Sequence, residues 1–403
     1  MNIPLSSPDV GEREIEYVTA VLRSGQLSLG PWLKHFEERF AEYAGTRYAV
    51  ATSSGTAGLH MCVRAMEIGA GDEVITSPFS FVASANCVLY EGASPVLVDI
   101  DPETYNIDPK KVREFLRENC VRHADGRLTN RKTGRTVKAI LPVHVFGLPC
   151  EMDAIGEIAR EYGLLILEDA CEAIGAKFRG KPAGTFGDAA VFAFYPNKQI
   201  TAGEGGMVVT DDAKIAEQCR SLRNQGRDAD GRWLSHIQLG FNYRLSDIHC
   251  ALGLAQLERI EELLAARQAV AHEYSRVLAS NAAIRLPVSR EDAERSWFVY
   301  VIEFSGAMDS SLRDEVRGRL QRAGIASQAY FPAIHRQPYF SSYCSELPME
   351  LPNCERAADR CLAIPFFSRL KKREIGAVCR KLEAAIAAES GSTREANSAT
   401  VPA

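Results

Sequence analysis

The sequence predicts an α/β fold built on a largely parallel sheet and followed by a smaller α+β domain. Three observations carry that expectation. Helix-like and strand-like runs alternate through roughly the first 250 of the 403 residues. The strands are short aliphatic runs ending in a polar residue, as in a sheet buried on both faces that delivers side chains to a site at its edge. After Ser246 the pattern changes to a long helix with an apolar stripe. The expected boundaries are 1–255 for the large domain, 256–388 for the small domain and 389–403 for a small, polar, disordered tail.

Taken in order, residues 11–24 read as a helix and residues 36–43 as another, leading into a strand at 48–52. Further strands are expected at 73–77, 94–99, 139–143 and 164–168. The basic, polar stretch 117–138 interrupts this rhythm and reads as an inserted β-hairpin, with an anion-binding patch as the functional alternative. Its Lys132-Thr133-Gly134 matches a fragment of the serine β-lactamase signature, but the Ser-x-x-Lys run from Ser368 to Lys371 follows it rather than precedes it, so the match is chance. The stripe Leu252, Leu254, Ala255, Leu257, Ile260, Leu263 and Leu264 marks the long helix. A strand at 297–302 and helices at 311–323 and 371–388 complete the small domain.

A net charge of -5 and a pI near 6.0 supply no electrostatic footprint for nucleic acid, and no DNA-binding motif spacing is present. The eleven cysteines form no Cys-x-x-Cys pair, which suits free thiols in a reducing compartment. Met1–Ser7 has neither a basic region nor an apolar core, and no apolar run has membrane-spanning length, so the expected location is the cytoplasm. None of the eight histidines belongs to a metal-ligand spacing.

The chemistry centres on residues 194–206, where Lys198 stands between the apolar run Val191-Phe192-Ala193-Phe194 and the glycine turn Gly203-Glu204-Gly205-Gly206. A lysine in a partly desolvated bend is placed to form a Schiff base with an aldehyde cofactor; on this segment alone, a surface-loop lysine remains open. Pyridoxal phosphate also needs an acid near its pyridine nitrogen, an aromatic against its ring and donors for its phosphate. Asp169, after a strand, is the candidate acid, with a helix N-cap as its alternative role. Gly55 and Thr56, between a strand and a helix striped by Leu59, Cys62, Val63 and Met66, form a candidate phosphate cradle. Phe79 and Phe81 are candidate ring partners, either of which could instead be core.

Ser53-Ser54-Gly55-Thr56-Ala57, Glu168-Asp169-Ala170, Gly187-Asp188, Tyr195-Pro196-Asn197-Lys198, Gly203-Glu204-Gly205-Gly206 and Gly240-Phe241-Asn242-Tyr243-Arg244 occur in the order and spacing of the DegT/StrS sugar aminotransferases. The chain resembles that family to about residue 385. The resemblance implies an aspartate-aminotransferase-like fold (the type I fold of pyridoxal-phosphate enzymes) and a cytoplasmic homodimer with shared active sites. It implies Lys198 as the cofactor-linking proton carrier, Asp169 as the partner of the pyridine nitrogen and Gly55 with Thr56 as the phosphate cradle. Phe81 rather than Phe79 matches the stacking aromatic, and Asn242 matches an asparagine that reaches the phosphate from the other subunit.

Glu172, three positions after Asp169, and the Tyr-Pro-Asn-Lys form most resemble the branch that includes perosamine synthases, which aminate a nucleotide-linked 4-keto-6-deoxyhexose. The implied amino donor is glutamate. His335 and Tyr330 fall near the family's sugar site, whereas His144 reads as structural. One departure stands out: Ala193 replaces a serine that donates to the phosphate in many relatives, a hydrogen bond of about 1–3 kcal/mol. A keto-cyclitol aminotransferase is the nearest alternative. Lys198 argues against a sugar 3-dehydratase, and Lys198 with Asp169 argues against a non-catalytic regulator.

Overall fold

The computed structural model describes residues 2–228, 235–306, 309–344 and 350–398. Eleven strands precede the small domain: β1 (Tyr48–Thr52), β2 (Asp72–Thr76), β3 (Ser94–Leu97), β4 (Cys120–Arg122), β5 (Leu128–Asn130), β6 (Thr136–Leu141), β7 (Leu165–Asp169), β8 (Lys177–Phe178), β9 (Lys181–Pro182), β10 (Ala189–Ala193) and β11 (Gly206–Thr210). Nine of them form one sheet in the order β1-β11-β10-β7-β6-β2-β3, with β4 and β5 attached at β6. The β10-β7-β6-β2-β3 run is parallel, and the antiparallel pairings are those of β11 with β1 and β10 and of β5 with β4 and β6. The hairpin expected within 117–138 is β4 paired antiparallel with β5.

The aliphatic strands are buried because helices cover both faces. Helix Gly55–Ala65 lies so close to β10 that a Cβ on Gly58 would come within 2.7 Å of Val191 Cγ1. On the other face, helix Pro31–Ala44 sets Phe36 and Phe40 against Phe194, with ring centroids 5.4 and 5.6 Å away. That helix begins earlier than its apolar stripe suggested, because Asp247 accepts from the Gly30 amide at 2.8 Å and the Trp32 amide at 3.0 Å, placing a carboxylate at its N-terminus.

The long helix expected after Ser246 is two helices, Asp247–Leu257 and Ile260–Leu278. The backbone leaves the helical region at Arg259 (φ -118°, ψ 22°), whose guanidinium reaches Asp9, Glu14 and Glu262. The first helix packs with the large sheet; the second packs Val270, Ala271, Tyr274 and Leu278 into a separate core. That core belongs to a second sheet made of β12 (Ile284–Arg285), β14 (Tyr300–Phe304), β15 (Gln328–Ala329) and β16 (Cys361–Ile364), in the order β12-β14-β16-β15. Between β12 and β14, β13 (Ala293–Glu294) pairs with β8 and so ties the two parts together.

Helix Lys372–Ser398 runs through the stretch from Glu389 that was expected to be disordered. Glu389 is buried and pairs with Arg319 of helix Ser310–Arg322, which anchors the helix beyond its apolar stripe. Residues 399–403 lie outside the described residues. Among the described residues no helix is long and apolar enough to cross a membrane.

Candidate active site

The Lys198 loop leaves β10 at Ala193 and returns at Gly206, the first residue of β11. Phe194 closes its base: its amide donates to Gly205 O at 2.9 Å, and its carbonyl accepts from the Ala202 amide and the Thr201 hydroxyl, both at 3.0 Å. Gly205 has φ 158°, and a Cβ at Gly206 would lie 2.6 Å from the Ser54 carbonyl, so the return strand presses against the start of helix Gly55–Ala65. The Lys198 side chain is 13% exposed, with Nζ 3.6 Å from Glu172 Oε1 and 3.9 Å from the centre of the Phe298 ring.

Glu172 is buried and its other oxygen accepts from the Phe146 amide at 2.9 Å. Burial pushes its carboxyl above the ordinary value, against the opposing pull of Lys198 and that amide. Asp169 ends β7 and is also buried. No helix follows it; Oδ1 accepts from the Cys171 amide at 3.1 Å, a local turn, while Oδ2 accepts from Ser84 Oγ at 2.9 Å.

Gly55 and Thr56 open their helix, with Ser54 Oγ accepting from the Ala57 amide at 3.1 Å. The amides of Gly55 and Thr56 have no acceptor among the described residues, as an anion site at a helix N-terminus requires. A Cβ on Gly55 would lie 2.8 Å from Cys171 Sγ and 2.9 Å from Ala193 Cβ. Ala193 therefore stands beside the start of this helix.

The two candidate phenylalanines separate cleanly. Phe79 is fully buried against Phe146 and Phe331, whereas Phe81 is 61% exposed and its carbonyl accepts from Ser84 Oγ at 3.2 Å. Asn242 is exposed on a loop held to the end of β1, where Tyr243 O accepts from the Ser53 amide at 2.8 Å and from Thr52 Oγ1 at 3.1 Å. Tyr330 packs 6.2 Å from the rings of Phe298 and Phe146. Burial raises its phenol well above the ordinary value and Glu172 adds to this, against a hydrogen bond with Asn197. Among the described residues His335 makes no hydrogen bond to this cluster; its Nε2 lies 3.1 Å from Glu355 Oε1. His144 is buried 3.0 Å from Glu168 and accepts from the Cys150 amide at 3.1 Å, a structural role.

Sequence reasoning missed Ser84, Phe298, Gln199 and Arg267. Gln199 Nε2 donates to Glu172 O at 2.6 Å, and Arg267 Nη2 donates to Lys198 O at 2.6 Å. Each acts across a long chain separation, so no local pattern announces it.

The residues present fit pyridoxal 5'-phosphate. A cradle that a Cβ would fill, two free amides at a helix start, a buried carboxylate and a lysine amine stand on one rim of the sheet. The family model for the DegT/DnrJ/EryC1/StrS aminotransferase family matches residues 8–383. The chain is 38% identical over 384 residues to a GDP-perosamine synthase of Caulobacter vibrioides, covering 94% of this chain and 97% of that one. It is 33% identical over 383 residues to the spore coat polysaccharide biosynthesis protein SpsC of Bacillus subtilis, covering 93% and 94%. The solved structure of DesI in the presence of its TDP-sugar product superposes with a TM-score of 0.84 at 31% identity, covering 98% of this chain and 95% of that one. The chain belongs to the DegT/DnrJ/EryC1/StrS family and is a pyridoxal-phosphate-dependent sugar aminotransferase.

Proposed function

We propose that the chain transfers an amino group from glutamate to the ketone of a nucleotide-linked 4-keto-6-deoxyhexose, in the making of a polysaccharide or glycan. The observation that carries this reading is the Lys198 amine, 3.6 Å from Glu172 on the rim that also bears Asp169 and the Gly55 cradle. The likeness to a GDP-perosamine synthase supports the sugar class.

Bound pyridoxal phosphate supplies an aldehyde that stores the amino group between the two halves of the reaction and a ring that withdraws electrons from the substrate carbon. Lys198 Nζ would hold the cofactor and, when its amine is free, would accept and return a proton beside it. Asp169 would keep a proton on the pyridine nitrogen, and Ser84 orients that carboxylate. The amides of Gly55 and Thr56 would hold the phosphate, Phe81 would lie against the ring, and Glu172 would take up charge beside the Lys198 amine. Tyr330 lines the sugar side, with His335 at its edge.

The exposed Asn242, with the exposed apolar Ile237 and Leu239 on the same loop, supports a homodimer in which this loop completes the partner's site. Ten of the eleven cysteines are free thiols, which suits the cytoplasm. The test incubates the reconstituted protein with L-glutamate and a panel of nucleotide-linked keto sugars and keto cyclitols, with mass detection of aminated product. Amination of a nucleotide-linked keto sugar supports the reading; amination of cyclitols alone replaces the substrate class, and no amination of either class overturns it.

A further inference from the structure

Arg267 is more deeply buried than Arg223 or Arg313, the other buried arginines among the described residues. Those two pair with Glu37 and Asp314. Arg267 has no carboxylate partner among the described residues, and its Nε is left without an acceptor. Burial pushes its guanidinium down to about 10, with only Asp9 opposing, so it is still a cation at neutral pH. A buried cation without a counter-charge is strongly destabilising unless the surrounding dipoles hold it.

The dipoles that hold it are four carbonyls in two segments. Nη2 donates to Lys198 O at 2.6 Å and Asn197 O at 3.5 Å; Nη1 donates to Phe298 O at 3.1 Å and Trp297 O at 3.4 Å. These segments carry the two side chains that meet in the site, since the Lys198 amine rests 3.9 Å from the centre of the Phe298 ring. One guanidinium therefore grips the backbone of the amine bearer and the backbone of the ring beneath the amine. Arg267 stands on helix Ile260–Leu278, whose Val270, Ala271 and Tyr274 are core to the small sheet.

We propose that Arg267 is a positioning residue for Lys198: through the carbonyls of Lys198 and Phe298 it sets where the amine stands, and it ties that placement to the small domain. This rests on Lys198 being the cofactor-linking residue. Arg267 lies behind the loop, and no contact places it at the Gly55 cradle, so cofactor binding and capture by the amine should respond differently to its loss.

The experiment separates the two. Pyridoxamine 5'-phosphate occupies the pocket but has no aldehyde, so its dissociation constant, read by fluorescence titration of the apo-protein, reports the pocket alone. Pyridoxal phosphate condenses with the Lys198 amine, releasing one water, and the rate of that joining reports the amine's placement; it is read from the visible band and from the product trapped with borohydride. Arg267→Met is expected to slow joining by about tenfold or more, a change of about 1.4 kcal/mol in the barrier. The pyridoxamine phosphate dissociation constant should stay within about threefold of wild type, a shift of about 0.65 kcal/mol. Arg267→Lys, which keeps a cation able to reach one carbonyl, should fall between.

Joining at the wild-type rate in Arg267→Met overturns the proposal, as does an equal weakening of joining and of pyridoxamine phosphate binding, which would be a general loss of structure. Where circular dichroism shows Arg267→Met unfolded, Arg267→Lys decides alone: selectively slowed joining supports the proposal and wild-type joining overturns it. Lys198→Ala, run in parallel, tests the underlying reading. Covalent joining that survives Lys198→Ala overturns the assignment of Lys198, whatever the Arg267 variants do.

Discussion

Ser84 Oγ donates to Asp169 Oδ2 across 2.9 Å, so the carboxylate assigned to the pyridine nitrogen is held from a helix 85 residues away in sequence. The other Asp169 oxygen is taken by the Cys171 amide at 3.1 Å. With both oxygens held, the carboxylate has one orientation.

Ser84→Ala removes that bond without changing the backbone. A hydrogen bond to a charged group contributes about 1.5–3 kcal/mol, so kcat should fall by roughly ten- to a hundredfold. Steady-state kinetics of the reconstituted enzyme check this, and an unchanged kcat would show that Ser84 does not orient Asp169.

Ala193→Ser restores the missing hydroxyl beside the cradle, where the alanine methyl stands 2.9 Å from the position of a Cβ on Gly55. Cofactor affinity should rise by about fivefold to a hundredfold, the effect of one added hydrogen bond of about 1–3 kcal/mol to a charged phosphate. Equilibrium dialysis of the two apo-proteins decides it; equal affinities would mean that the phosphate is already saturated with donors.

Gly55→Ala drives a methyl to 2.8 Å from Cys171 Sγ and 2.9 Å from Ala193 Cβ. Overpacking of this kind costs about 1–3 kcal/mol, and it also displaces the cradle amides. The melting temperature of the apo-protein and its affinity for the cofactor should both fall. A variant as stable and as tight as wild type would contradict the close packing of β10 against the helix start.

Glu168 supplies the pH dependence. Burial alone would raise its carboxyl, but the hydrogen bond from His144 and the amides of Gly184 and Gly187 outweigh it and hold the group below its ordinary 4.5. A carboxyl lowered on folding binds fewer protons in the folded state, so its contribution is complete above pH 4.5 and is lost as the pH falls through the lower folded value. Denaturation of wild type and Glu168→Gln should therefore show a stability gap of about 2 kcal/mol near neutrality that narrows with acid. A gap that widens below pH 4.5 would reverse the sign of the argument.

The large sheet was legible because its signals are local. Aliphatic strands such as Val191–Phe194, the glycines that close the Lys198 loop and the small residues before helix Gly55–Ala65 each need only their neighbours to be recognised. Periodicity also told where an apolar stripe ran, but not that Arg259 would break it by reaching Asp9 and Glu14, some 250 residues earlier in the chain. For the same reason the partnerships of Ser84, Phe298 and Arg267 were silent: each is a tertiary meeting between segments with unremarkable local patterns. The pair Phe79 and Phe81 shows the limit from the other side. Two identical residues two positions apart have opposite fates, one fully buried and one exposed, decided by the turn they occupy.

The central claim is that Lys198 carries the cofactor, and reduction of the reconstituted protein with borohydride, followed by proteolysis and mass spectrometry, tests it most directly. The account predicts one pyridoxyl group per chain on the peptide containing Lys198, lost when L-glutamate is added before the reductant. A pyridoxyl group on another lysine, or none on any, would contradict it.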